Sequence, residues 1–264
     1  MSTTATAQDL MTAKLFFNAA FPVMQVVLDD DPKMHRRFEN VVASVQICAH
    51  HGEDLIACHL VFDHRTVTVV QAPAEKPDIT LEFSTVEKMN TMFRGGNALP
   101  KIHGMLKLGL LIKILTLLMS LKLMMPGSKP SDPAKKALKV KMSLFMITRA
   151  LSVYNKSGDP EMQEWTGRQP DRIYQFIVEP YPESGIACYL RVKAGKSKSG
   201  HGIYQRRRPF VLFHFLSVDG ALKVLQKDVE FVSGVEQGCV ETIGSPEYAC
   251  QLNDFMAILQ AMLT

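Results

Sequence analysis

Apolar residues recur along the chain at two spacings. Over residues 14–28, and again over 135–154, they fall at helical intervals, and each run ends at an Asp-Pro pair, Asp31-Pro32 and Asp159-Pro160. Alternation follows. Ile56, Cys58, Leu60 and Phe62 share one face with His59 and Asp63 on the other, while Ile186, Cys188, Leu190 and Val192 share a face with Arg191 and Lys193 outward. With Val45 and Ile47 before, Val67 and Val69 after, then Ile79, Leu81 and Phe83, the first region predicts a meander of about four antiparallel strands. Ser84, with Glu87 three residues on, has the form of a capping box opening a short helix through Phe93, closed by Gly95-Gly96; residues 217–226 repeat it. A strand near 101–104 and a long apolar helix come next. In the second half that helix is expected over 246–263, with Ala249, Leu252, Phe255, Met256, Leu259 and Leu263 at helical spacing.

The elements thus occur twice in the same order. Asp31-Pro32-Lys33-Met34 returns as Asp159-Pro160-Glu161-Met162, Ile56-Ala57-Cys58-His59-Leu60 as Ile186-Ala187-Cys188-Tyr189-Leu190, and Val86, Met89 and Phe93 as Val218, Ala221 and Leu225. The offset grows from 128 through 130 and 132 to 140 between Gly104 and Gly244, as in copies whose loops gain residues. We read a polar tail at 1–13, a first domain at 14–125, a Pro/Gly/Ser linker at 126–133 and a second domain at 134–264. Copies of this size bury roughly two-thirds of their unfolded surface, enough for a core each.

Composition narrows the function classes. A net charge of +4 does not force a nucleic-acid partner, although a pI near 8.7 permits weak affinity for anionic surfaces. Five cysteines without a Cys-x-x-Cys pair argue against a disulfide framework and a zinc ribbon. The N-terminus lacks a cationic start and an apolar run, so a cytoplasmic protein is expected. Residues 105–125 have the length of a membrane span, but Lys113 would sit near the bilayer centre, where one charge costs on the order of 3 kcal/mol. With Lys107 and Lys122 also present, a buried or interfacial helix is the better reading. His50, His51, His59 and His64 with Cys48 and Cys58 invite a metal site, yet His59 and Asp63 lie roughly 13 Å apart on one strand face. His50-His51-Gly52 reads more simply as a hairpin tip. Gly195-Lys196-Ser197 lacks the earlier glycine of a phosphate loop, and no nucleophile elbow or dinucleotide fingerprint occurs. No catalytic residue, metal or cofactor is nominated.

Pro77-Asp78-Ile79-Thr80-Leu81-Glu82-Phe83, the short helix to Gly95-Gly96, Leu99-Pro100-Lys101-Ile102-His103-Gly104 and the helix over 108–118 together resemble the sterol carrier protein-2 family. That family is typified by an Asp-Val-Thr strand, a helix ending in Thr-Gly-Lys, a Gly-x-Leu-x-Ile-x-Gly strand and an amphipathic helix. The match covers most of 14–125. Arg94-Gly95-Gly96 stands where Thr-Gly-Lys is usual, residues 239–244 replace the glycine-bounded strand in the second copy, and tandem copies are unusual. The resemblance implies an α+β fold of two tandem repeats, each a roughly five-stranded, mainly antiparallel sheet with helices packed on one face. It also implies non-enzymatic binding, in a tunnel between sheet and helices, of a sterol, fatty acid, fatty acyl-CoA or isoprenoid lipid.

In the first copy the expected lining is Phe83, Met89, Phe93, Leu99, Ile102, Leu110, Ile114, Leu117 and Leu118. In the second it is Phe215, Leu225, Leu252, Phe255, Met256 and Leu259. Met105, Met119, Met124, Met125, Met256 and Met262 add flexible side chains suited to a wall or lid. Periodicity alone reads the same residues equally as a filled core. Between Arg191 and Arg208 lie seven cations and no acid, so Arg206, Arg207 and Arg208 are candidates to meet anionic headgroups or the phosphates of a CoA ester, or else form a solvated hairpin. The expected partners are a lipid or lipid-CoA ligand, an anionic membrane surface touched peripherally and a lipid-metabolising enzyme, with no nucleic acid. The rival function is a scaffold whose apolar helices are buried against a partner.

Overall fold

The computed structural model describes residues 5–264, with the side chain of Met105 outside that description. The chain divides into two compact units, one running to Met125 and including Leu263–Thr264, the other Pro126–Met262.

In the first unit, Thr6 starts α1 (Ala7–Leu15) with a reciprocal box: its hydroxyl accepts from the Asp9 amide, and the Asp9 carboxylate accepts from the Thr6 amide, both at 3.1 Å. The helical path continues through a π turn at Phe16–Ala20 and a 3-10 turn at Phe21–Val23 into α2 (Met24–Asp30). Residues 7–13, expected as tail, are therefore helix, because the cap supplies a start and Thr12, Ala13 and Leu15 are buried. The stretch Ala7–Asp30 is long and apolar enough to cross a membrane by length and composition, but 67% of its window is buried within the protein, where it forms core. Asp31 caps α3 (Pro32–Arg37) by accepting from the Lys33 and Met34 amides.

The strands are β1 (Val42–His51), β2 (Asp54–Asp63), β3 (Thr66–Val70), β4 (Ile79–Phe83) and β5 (Lys101–His103), in the spatial order β3-β2-β1-β4-β5. Ile47, Cys58, Leu60, Phe62, Ile79, Leu81 and Phe83 are buried, as the alternation predicts. The simple meander is corrected: β4 does not pair with β3 but crosses to lie parallel to β1, Val45 opposite Ile79. The crossover is pinned over β1. The Gln46 side-chain oxygen accepts from the Ala74 amide at 2.8 Å, and Ser44 and Asp78 exchange two bonds at 2.7 Å. α4 (Val86–Phe93) is capped by Thr85, one residue past the expected Ser84. A 3-10 turn then leads into α5 (Leu108–Ser120), which packs against α2.

The second unit opens with Asp132 capping α6 (Pro133–Lys156), and Asp159 caps α7 (Pro160–Gly167). Then come β6 (Arg172–Val178), β7 (Ala187–Lys193), β8 (Lys196–His201), β9 (Val211–Phe215), α8 (Val218–Leu225), α9 (Phe231–Glu236), β10 (Val240–Gly244) and α10 (Pro246–Leu263). The sheet order is β8-β7-β6-β9-β10, with β9 parallel to β6. The crossover is pinned as in the first unit: Gln175 accepts from the Tyr204 amide at 3.0 Å, and the Phe210 amide donates to the Ile173 carbonyl at 2.8 Å. Both units close their last strand alike. Gly104 (φ +87) and Gly244 (φ +114) are left-handed, and a Cβ at either would run into the carbonyl oxygen of Asp78 or Phe210. Each unit is thus α+β, with a five-stranded, mainly antiparallel sheet packed by helices. Helix α9 was not expected; it occupies the longer connection that widens the offset before Gly244.

Candidate functional site

Beneath the first unit's helices the predicted lining residues Phe83, Met89 and Phe93 are buried. Rings fill the space around them, with Phe93 centred 6.0 Å from Phe83, 5.4 Å from Phe16 and 4.8 Å from Phe21. Ile102 and Leu110 are half-buried. Leu99 is corrected: it is 90% exposed, because it lies in the connection from α4 to β5.

Helix α5 is apolar around most of its circumference, and at 3.6 residues per turn its residues fall on three stripes. Leu111, Ile114, Leu117 and Leu118 are buried. Beside them Leu108, Ile112 and Met119, exposed at 61%, 54% and 52%, line up with half-buried Leu115. Gly109, Lys113, Thr116 and Ser120 make the narrow third stripe. Along the sequence that flanks this helix the charge is one-sided, since residues 88–131 contain seven Lys or Arg and no Asp or Glu, although α2, which packs against α5, ends in Asp29 and Asp30. Lys107 is ion-paired to Asp78 from outside that run, which holds the Asp78 carboxyl below its ordinary pKa.

In the second unit Phe215, Leu252, Phe255 and Leu259 are buried, and Leu225 and Met256 are half-buried. Trp165 sits 5.6 Å from Phe255 and donates its indole N–H to Gln251 at 2.8 Å. Phe255 is the one predicted lining residue that reaches the adjoining cleft of about 330 Å³, whose rim carries Glu161, Glu164, Glu247 and Asp254. Of the methionines, Met124 is buried, Met125, Met256 and Met262 are half-buried, and Met119 is exposed; the Met105 side chain lies outside the described residues.

The basic hairpin is organised by Asp171. Its carboxylate accepts from Arg191 Nε at 2.7 Å and Nη2 at 2.6 Å, and its carbonyl accepts from Arg207 at 2.7 Å. The fork holds the Asp171 carboxyl below its ordinary pKa. Arg206, Arg207 and Arg208 are all exposed, and they do not act as one cluster: Arg206 lines a cleft of about 330 Å³ with Tyr189, Arg191, Lys198, His201, Ile203, Tyr204 and Gln205, while Arg207 is held by Asp171. The sequence shows these charges but not the cleft, because Tyr189 and Lys198 meet through strand pairing and Tyr204 is brought to them by the crossover held at Gln175.

Other candidate chemistry is structural. His50 and His103 clasp Glu82 at 2.8 and 2.7 Å, and among the described residues no group of three or more His, Cys, Asp or Glu could hold a metal ion. The five cysteines are free thiols; Cys48, Cys58, Cys188 and Cys239 are buried and Cys250 is exposed. Burial raises the Cys58 pKa and pushes Cys188 up to about 12.

No family model and no curated protein matches the chain. Among solved structures it is similar to the sterol carrier protein domain 2 of Helicoverpa armigera, at 21% identity over 45% of this chain and 89% of that one, TM-score 0.32. It is similar to a sterol carrier protein 2 at 15% identity over 44% and 92%, TM-score 0.30. Likeness to the stereoselective inverting sec-alkylsulfatase from Pseudomonas sp. is 12% identity over 64% of this chain and 31% of that one, TM-score 0.26.

Proposed function

We propose that the chain is a non-catalytic binder of a hydrophobic lipid, a sterol, fatty acid, fatty acyl-CoA or isoprenoid, whose tail lies along the exposed stripe of α5. The observation that carries this reading is the second apolar stripe of α5, Leu108, Ile112, Leu115 and Met119, which the fold leaves largely uncovered. An apolar face in water is a cost that a hydrocarbon tail relieves, at about 0.8 kcal/mol per buried CH₂. The acid-free run from 88 to 131 suits the same helix to approach an anionic bilayer and collect its ligand there. The sequence resemblance of residues 77–118 to sterol carriers supports the same ligand class. The test is titration of delipidated full-length protein with a fluorescent long-chain fatty acid and a fluorescent sterol; saturable uptake is expected, and its absence with both removes the proposal.

A second reading has one specific observation in its favour. The spacing of Leu108, Ile112, Leu115 and Met119, four, three and four residues apart, is that of a seam between two helices. Under it the stripe is covered by a partner protein. Delipidated protein would then associate or aggregate, where the lipid binder stays soluble and regains ligand.

A further inference from the structure

The outer face of the β7–β8 hairpin carries charges that the fold sets against each other. Antiparallel pairing places Arg191 directly opposite Lys198 and Lys193 directly opposite Lys196. Like charges at directly opposed positions repel and weaken a hairpin. No carboxylate lines either of the two clefts on this face, of about 330 and 450 Å³, and both are bordered by Arg191 and Lys198. Asp171 neutralises part of the charge from the sheet side, binding Arg191 through Nε and Nη2, so Nη1 takes no part in that pairing.

The same face has a wall. The crossover segment, held by the Gln175–Tyr204 bond, brings Tyr204 within 5.0 Å of Tyr189 at an interplanar angle of 68°. Tyr189 lies flat along Gly200, where any Cβ would strike its ring. An arginine held in place by Asp171 with Nη1 outside that pairing, a flanking lysine ladder and two phenol-bearing walls make a groove of small-molecule size rather than a diffuse basic surface.

From this geometry we propose that the groove between the β7–β8 hairpin and residues 203–206 binds a dianionic phosphate group, with Arg191 and Lys198 as its principal contacts, Arg206 at its edge and Lys196 in the adjoining cleft that shares Arg191 and Lys198. The group can come from a phosphomonoester lipid headgroup in a bilayer or from a soluble phosphate monoester. The site stands whether or not α5 holds lipid.

The probe is inorganic pyrophosphate, titrated into the full-length protein at low salt by calorimetry and by thermal melting, and compared with Lys196→Gln/Lys198→Gln. The wild type should bind saturably and melt at higher temperature with the anion. The double variant should lose at least fivefold in affinity and most of that rise, while its anion-free melting temperature stays equal or increases because the cross-strand repulsion is relieved. Vesicles containing phosphatidic acid separate the sources. Vesicle binding that pyrophosphate competes away assigns the site to a headgroup, and pyrophosphate binding without vesicle binding assigns it to a soluble ester. The proposal is overturned by absence of saturable pyrophosphate binding, by equal affinity in the double variant, or by a single-stranded oligonucleotide binding more tightly than pyrophosphate.

Discussion

Replacing Ile112 and Met119 together by Gln removes two of the four apolar residues of the exposed stripe of α5 without touching its buried one. Full burial of such side chains is worth roughly 1.5–3 kcal/mol each. Ile112 is 54% exposed and Met119 52%, so a lipid tail that covers the remainder gains about 1 kcal/mol from each. The pair should therefore weaken lipid binding by about 2 kcal/mol, roughly thirtyfold. Stability should fall by about 1 kcal/mol per site at most, because roughly half of each side chain already faces solvent and Gln is a good helix former. The assay is a fluorescent fatty-acid titration alongside a thermal melt of the same sample. Unchanged affinity at unchanged melting temperature would refute the claim that lipid lies along this stripe. A large drop in melting temperature would refute the claim that the stripe is dispensable for folding.

Gly104→Ala should cost at least about 1 kcal/mol of stability, since an L-residue there adopts left-handed backbone and meets the Asp78 carbonyl, and the first unit's melting transition reads it. His214 bonds Glu179 at 2.8 Å and Glu241 at 3.3 Å; the Glu179 bond raises the His214 pKa and holds that of Glu179 down. The histidine's contribution is complete below its ordinary value near 6.5 and fades as pH rises through the elevated one, while that of the glutamate fades as pH falls through a value below 4.5. His214→Gln should therefore lower the melting temperature more at pH 6 than at pH 8.5, and an equal loss at both would contradict the pairing. Of the five thiols, only Cys250 should react promptly with a maleimide in the native protein, with all five reacting after denaturation; several fast-labelling sites would contradict the burial.

Local patterns carried much of the fold. Helix α10 was expected over the residues it occupies, because Pro246 fixes its start and Leu252, Phe255 and Leu259 keep the helical period. The alternation of β2 and β7 survives as buried Cys58, Leu60, Cys188 and Leu190. What pattern could not show is which strands meet. The parallel pairing of β4 with β1 depends on Gln46 and Ser44 holding a segment about thirty residues away, and alternation looks the same in either topology. The cap of α4 was ambiguous for a smaller reason: Ser84 and Thr85 are adjacent hydroxyls, and only backbone geometry chooses between them. For the site, α5 is apolar on nearly every side, so period alone cannot tell buried Ile114 from exposed Ile112. Leu99 is placed in the lining by the resemblance of residues 99–104 to the sterol carrier strand, but it precedes the strand and stands 90% exposed.

Native mass spectrometry of the full-length chain, purified without detergent from its expression host, tests lipid binding most directly. The expected spectrum contains a population carrying one hydrocarbon-bearing adduct, reduced in Ile112→Gln/Met119→Gln. A spectrum of bare protein only, together with no saturable uptake of fatty acid or sterol after delipidation, would contradict it.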